Sequence, residues 1–422
     1  MALNTLSTLN DPDWIKLFTI MESPDVSECQ VNGPDSVWVK HKGKRRLISD
    51  ISWRNDEEYA ESVRNALGGT GFISSHMPYD EMGALFEGPI AYKGSKGKII
   101  RGRAHLVLPP ASSVPLLTFA KKSQSLVTLD AIADKGSMNE EMLRFIKAAI
   151  YSDLTAIVSG GTGTGKTTFL EASTKLFPED IRVGVCEDTP ELELRQKNVA
   201  YMHSLPWRPG MDPNNVATLS WIVQQVNRMR TDRVLVGETR GKEFADFLVA
   251  ANSGMDGSLT TIHANDPISC LSKMTNFALK GNGENVPIRA INSDIAQAVD
   301  LIIQLAYDAP TGRHYVHSIV EVTNTVSDKP DAPITTGTLY RYNHADGLHE
   351  KVDAPGDILR RKLINAGIDA SEFTGAAQGF GTEPKWLPGK GPADAEPKAE
   401  RTLASGAKSV KKGGSRNIGR SI

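Results

Sequence analysis

The run Gly160-Gly161-Thr162-Gly163-Thr164-Gly165-Lys166-Thr167 fits the spacing G-x-x-x-x-G-K-[ST]. Glycines let a backbone bend until successive N–H groups converge on one point, and the lysine adds a cation at that point. This is the chemistry of holding phosphate oxygens. Lys166 is expected to reach the β- and γ-phosphates of ATP, and the Thr167 hydroxyl to ligate Mg²⁺ as the chain continues through Thr168 into a helix.

Four further groups carry chemistry. Val234-Leu235-Val236 is an apolar run that ends in Gly237-Glu238, and a carboxylate at such a strand end can hold a metal-bound water or aim an attacking one. Cys186-Glu187-Asp188-Thr189-Pro190-Glu191-Leu192 closes another short strand. Its carboxylates either complete the metal and water network or form a solvated acidic loop. Arg228, Arg230, Arg233 and Arg240 bracket Glu238 in sequence. Phosphoryl transfer needs positive charge as the leaving group separates, so these arginines either line a subunit boundary or make structural ion pairs. His263, after Thr260-Thr261-Ile262, is either a γ-phosphate sensor or a satisfied core or surface histidine.

The elements that must position these groups follow from pattern. From Thr155 the order is strand, glycine loop, helix, strand, helix, strand, the alternation that produces a parallel sheet covered on both faces. Thr155–Ser159, Arg182–Cys186, Val234–Val236 and Ser258–Ile262 read as strands. Leu219, Ile222, Val223, Val226 and Met229 form a helical stripe, and Lys242–Asn252 reads as a helix closed by Gly254. Ser137-Met138-Asn139-Glu140 fits a capping box before the stripe Met142, Phe145, Ile146, Ala149, Ile150. Upstream, Val26–Val31 and Ser36–Val39 are β-rich runs joined by the turn-forming Asn32-Gly33-Pro34-Asp35, with a helix expected over Asp56–Ala66 and a strand over Leu106–Pro110. Gly68–Gly97, glycine-rich with Pro78 and Pro89, is expected to form irregular loops.

At 422 residues the chain has room for two domains and some extra. A composition of 40% hydrophobic and 23% charged residues with net charge −2 is that of a soluble globular protein, without the charge balance of a nucleic-acid-coated surface. The start, Met1–Asp13, lacks the pattern of a secretory signal and no run spans a bilayer, so a cytoplasmic location is expected. Cys29, Cys186 and Cys270 are too scattered for disulfides or a zinc site and read as reduced structural residues. Beyond Gly381 the chain turns to Gly, Pro, Ala, Ser and Lys. This tail is either simply solvated or reaches acidic lipid, nucleic acid or a partner through its basic end.

Taken together, five runs resemble the type II/type IV secretion ATPase superfamily, and within it the CpaF/TadA-type pilus assembly ATPases. They are Ser159–Thr168, Glu187–Leu192, Arg228–Arg233, Val236–Gly241 and Asp256–Asn265. The resemblance implies that Glu187 belongs to the family's Asp box, Arg228, Arg230 and Arg233 to its arginine cluster, Glu238 to its Walker B motif and His263 to its His box. It also implies an α/β fold with a RecA-like P-loop NTPase domain and a smaller α/β amino-terminal domain. The chain would divide into an amino-terminal domain (1–118), a motor domain with its linker (119–345), a small C-terminal segment (346–380) and a disordered basic tail (381–422). The implied activity is ATP hydrolysis by a homohexamer that drives assembly of a Tad-like pilus or secretion at an inner-membrane platform protein. Thr231 and Met255 depart from the family pattern, which commonly has proline and histidine there, and Thr118–Lys122 offers lysines where arginines are usual. A conjugative secretion ATPase, a RecA-like nucleic-acid motor and a non-catalytic scaffold are the competing readings. No stable nucleic-acid binding is expected, because the motor region has no basic, aromatic-interleaved stretch.

Overall fold

The computed structural model describes residues 11–68, 85–94, 99–122, 127–205, 216–283, 286–327 and 333–374. A separate unit, Gly379–Ile422, and with it the expected basic tail, lies outside the described residues.

Asp11 opens α1 (Pro12–Met21): its carboxylate accepts from the Asp13 and Trp14 amides, and Pro12 fills a position that needs no donor. Trp14, Leu17, Phe18 and Met21 recur at helical spacing and are buried. They pack on an antiparallel sheet of order β3-β2-β1-β6-β5-β4. The expected runs form β1 (Val26–Val31) and β2 (Val37–His41), joined through the expected turn, where the Asn32 amide donates to the Ser36 carbonyl at 2.9 Å. β3 (Lys44–Leu47) and α2 (Asp56–Gly68) follow. Gly68–Gly97 is not loop throughout. Leu85–Lys93 is β4, paired with β5 (Ile99–Val107), and β6 (Leu116–Lys121) closes the sheet. β4 is an edge strand, where Pro89 costs no ladder hydrogen bond, which is why a proline-bearing run can still be a strand. The remainder of that stretch, 69–84 and 95–97, lies outside the described residues.

After α3 (Leu129–Ala133), α4 (Glu140–Tyr151) starts at Asn139, whose side chain accepts from the Met142 amide at 2.9 Å. The cap is therefore Asn139 and not Ser137. The Ser137 carbonyl instead accepts from the Val316 amide at 2.8 Å, which fixes the strand-side entry to the helix.

The second sheet has the order β15-β14-β13-β12-β7-β11-β10-β8-β9. Its parallel part is built by β7 (Ala156–Gly160), α5 (Lys166–Thr174), β8 (Val183–Glu187), β9 (Val199–His203), α6 (Leu219–Val226), β10 (Arg233–Thr239), α7 (Glu243–Ala251), β11 (Leu259–His263), α8 (Pro267–Asn282), α9 (Ile288–Ala298) and β12 (Leu301–Asp308). Every residue of β7 and β8 is buried, as expected for strands covered on both faces. β13 (Arg313–Val326), β14 (Ile334–Asn343) and β15 (Leu348–Lys351) extend the sheet antiparallel beyond β12. The architecture is α/β, a RecA-like P-loop core with a smaller α/β domain before it.

The two sheets keep separate apolar cores. Between them Glu193, in the loop after β8, bridges Arg101 of β5 and Lys122 just after β6, each at 3.5 Å. The three cysteines are free and buried, as expected.

α10 (Asp357–Asn365) is fastened to the sheet by an ion pair whose carboxylate is buried. Asp300 is 2% exposed, accepts from the Thr155 amide at 3.0 Å and holds Lys362 Nζ at 2.7 and 2.9 Å. Removing the cation strands a buried charge, so K362M is expected to lose about 3 kcal/mol of stability at pH 7. D300N/K362M should recover most of it, as read by urea denaturation.

Candidate functional site

Because β7, β8, β10 and β11 run parallel, their carboxyl ends fall on one edge, where Gly160 pairs with His263, and Glu187 and Glu238 close neighbouring strands. The loop leaving β7 turns through Gly163 (φ 75°) and Gly165 (φ 92°), left-handed conformations that glycine adopts without strain. A side chain at Gly160 would drive into Thr164 and the Leu305 carbonyl. The loop then opens α5, so the first amides of that helix face the same concavity.

Lys166 is 7% exposed, and its ammonium donates to the Gly160 carbonyl at 3.0 Å, the Gly161 carbonyl at 2.9 Å and His263 Nδ1 at 3.1 Å. Burial brings its pKa down to about 8, against the pull of Glu238. An ammonium only donates, so Nδ1 of His263 accepts and Nε2–H donates to Glu238 Oε1 at 3.0 Å, which assigns the neutral tautomer. Burial, followed by the Lys166 charge, lowers the His263 pKa and favours that neutral form. The other oxygen of Glu238 holds Arg240 at 2.7 Å. Burial alone would raise the Glu238 carboxyl, but Arg240, His263 and Lys166 together hold it below its usual value.

Glu187 is 3% exposed. Its Oε1 accepts from the Glu191 and Leu192 amides at 3.0 Å each, while Oε2 is buried with no hydrogen-bond partner among the described residues. Burial pushes this carboxyl up to about 7, against those two amides. Its side chain lies on Gly237, where an added Cβ would sit 3.0 Å from Glu187 Cγ, so the glycine lets β10 bring Glu238 alongside. Glu187, Glu238, Arg240 and Thr167 line one small cleft together with Arg103 of β5. A larger cleft of about 380 Å³ continues from Thr167 between α5 and strands β5 and β6.

The edge thus gathers the loop Gly160, Gly161, Thr162, Gly163, Thr164 and Gly165 with Lys166, Thr167 and Thr168, and it also brings in Glu187, Glu238, His263 and Arg240. It does not gather the other three arginines. Arg233 begins β10, five residues or ~16 Å along the strand from Glu238. It is 3% exposed, ion-paired to Asp153, bonded to the Ile150 carbonyl at 3.3 Å and stacked 4.2 Å above Phe177. Arg228 and Arg230 are exposed in the turn feeding β10. A strand carries its two ends to opposite edges of the sheet, so of the two readings left open Arg233 takes the structural ion pair, while Arg228 and Arg230 stay exposed. Glu171, which lines the larger cleft, was not singled out in the sequence. Its signal was its spacing, four residues after Thr167 on one helix.

Residues 17–330 match the family described as "Type II/IV secretion system protein". A Mycobacterium tuberculosis protein named for conjugal transfer is 28% identical over 346 residues, 81% of this chain and 92% of that one. Conjugal transfer protein TrbB of Rhizobium radiobacter is 30% identical over 203 residues, 47% of this chain and 58% of that one. The X-ray structure of the Legionella pneumophila ATPase DotB shares the fold at a TM-score of 0.54 and 14% identity, covering 86% of this chain and 88% of that one.

A carboxyl raised from 4.5 to about 7 adds stability below pH 4.5 relative to higher pH, and that contribution is lost as pH climbs through 7. E187Q keeps the backbone bonds without the charge. Its melting temperature should exceed that of the native chain at pH 8, by on the order of 2 kcal/mol in stability. The gap should close toward pH 4.5 in thermal melts.

Proposed function

We propose a function for this chain, which belongs to the type II/IV secretion system protein family: it hydrolyses ATP and passes the resulting motion to a pilus or secretion machine. The observation that carries this reading is the buried Lys166 under the glycine loop, linked through His263 to Glu238. A triphosphate would lie along the loop with its terminal phosphate toward Glu187 and Glu238 and the amides of α5 facing its oxygens.

The oxygen donors fit Mg²⁺. Thr167 hydroxyl and the carboxylates of Glu238 and Glu187 share one cleft, and the unpartnered Glu187 Oε2 is a hard donor. Among the described residues no cluster of three His, Cys, Asp or Glu could hold a metal by itself, which suits an ion completed by phosphate oxygens. Held there by Thr167, Glu238 and Glu187, Mg²⁺ would supply positive charge to offset that of the phosphates. Lys166 exchanges its contacts with loop carbonyls for phosphate oxygens. Glu238, held ionised by Arg240 and His263, accepts a hydrogen bond from the attacking water and aims it. His263, freed from Lys166, reports the terminal phosphate to Glu238 and to the strand ends. Arg240 and Arg103, both lining the small cleft, stabilise the charge of the departing phosphate.

We read residues 1–118, 119–345 and 346–380 as amino-terminal domain, motor with linker, and C-terminal segment. The cleft between the first two is the part that opens and closes. A homohexamer at the inner face of the membrane fits the family, and no helix among the described residues is long and apolar enough to cross one. The exposed Arg228 and Arg230 belong in this reading to a subunit boundary. The Asn32-Gly33-Pro34-Asp35 turn supports the CpaF/TadA pilus class with a membrane platform protein as partner. The relatives named for conjugal transfer support a second reading, a conjugative secretion ATPase. Co-purification with a pilus platform protein, or with a conjugation coupling protein, separates the two.

K166A should abolish both ATP retention and phosphate release. E238Q should retain ATP in equilibrium dialysis while kcat falls by about 10²-fold or more. An E238Q protein that turns over at the native rate would end the assignment of Glu238. R228E/R230E should shift the assembled ring toward monomer in size-exclusion chromatography.

A further inference from the structure

The nucleotide site has two ends. The two clefts meet at Thr167. The smaller holds Glu187, Glu238 and Arg240, the end for the terminal phosphate and the metal. The larger adjoins it and, at about 380 Å³, falls in the size range of small-ligand pockets. Thr168 and Glu171 line only this larger cleft, whereas Arg103, Thr189 and Glu191 border both.

Glu171 stands one turn beyond Thr167 on the same face of α5, ~6 Å further along the axis. With phosphates held at the start of that helix, a pentose falls at about this distance from the Thr167 hydroxyl. Glu171 is the carboxylate confined to this end, since Glu191 is shared with the phosphate end. Its side chain is 20% exposed and is steadied by Lys175 at 3.7 Å. A carboxylate accepts two hydrogen bonds, and the vicinal 2′- and 3′-hydroxyls of ribose donate two. The wall nearby offers Ala120, Val127 and Pro190, carbon surfaces suited to lying against a base.

We propose that Glu171 makes the site selective for ribonucleotides by accepting hydrogen bonds from the ribose hydroxyls of the bound triphosphate. This assignment rests on the nucleotide reading above and deepens it. A site that hydrogen-bonds a substrate hydroxyl discriminates against the analogue that lacks it, because that bond to the carboxylate is lost.

The test compares Kd and KM of the full-length protein for ATP, 2′-deoxy-ATP and 3′-deoxy-ATP. The native chain should prefer ATP by about tenfold, the loss expected for one hydrogen bond to a charged acceptor. E171A should bring the ATP to deoxy-ATP ratio close to one, and E171Q should fall between. That ratio is indifferent to a merely structural Glu171–Lys175 pair, which would shift all three ligands alike. If E171A fails to fold by circular dichroism, the E171Q ratio decides. Retention of ATP with no native preference, or an unchanged ratio in a folded variant, overturns the ribose assignment and leaves the nucleotide reading standing. A native chain that retains none of the three nucleotides overturns both.

Discussion

Burying an ammonium group is the constraint around which the site is organised. Lys166 can sit 7% exposed only because loop carbonyls, a neutral imidazole and, through it, a carboxylate compensate the charge. Compensation of this kind has to come from several strands at once. A parallel sheet provides it by bringing the carboxyl ends of β7, β10 and β11 to one edge, and the glycines let the loop fold tightly enough for its own carbonyls to point inward. The same edge then offers a triphosphate a cation, a helix start and an acid that already stand at hydrogen-bonding distances.

Glu187 and Glu238 show how one edge can hold two carboxylates in different states. Glu238 keeps its charge because Arg240, His263 and Lys166 surround it. Glu187 sits deeper, has two backbone amides as partners and is pushed up to about 7. Gly237 allows the two to sit side by side, since any side chain there would press on Glu187.

Much of this was legible in the sequence because strand-end motifs report a single edge once the sheet is known to be parallel. The glycine loop, Glu187, Glu238 and His263 sit on that edge, whereas the β1–β2 turn was legible from the turn-forming types of Asn32-Gly33-Pro34-Asp35. For Arg233 the sequence left a subunit boundary and a structural ion pair both open, and its place at the other end of β10, against Asp153 and Phe177, fits the second. β4 was hidden by Pro89, whose penalty depends on whether a strand is central or at an edge, and a single sequence does not say which. The start of α4 was placed two residues early because Ser137 and Asn139 are both good caps, and the bond from the Met142 amide to the Asn139 side chain decides between them. α1 escaped notice although its buried residues recur at regular helical spacing.

The bridge from Glu193 to Arg101 and Lys122 has a thermodynamic consequence. Glu193 and Arg101 are 60% and 51% exposed, and the apolar cores on either side do not merge across them. Charges this open to water are screened by dissolved salt, which leaves each sheet's apolar interior untouched. Rising salinity therefore slackens the tie between the two sheets without softening either one.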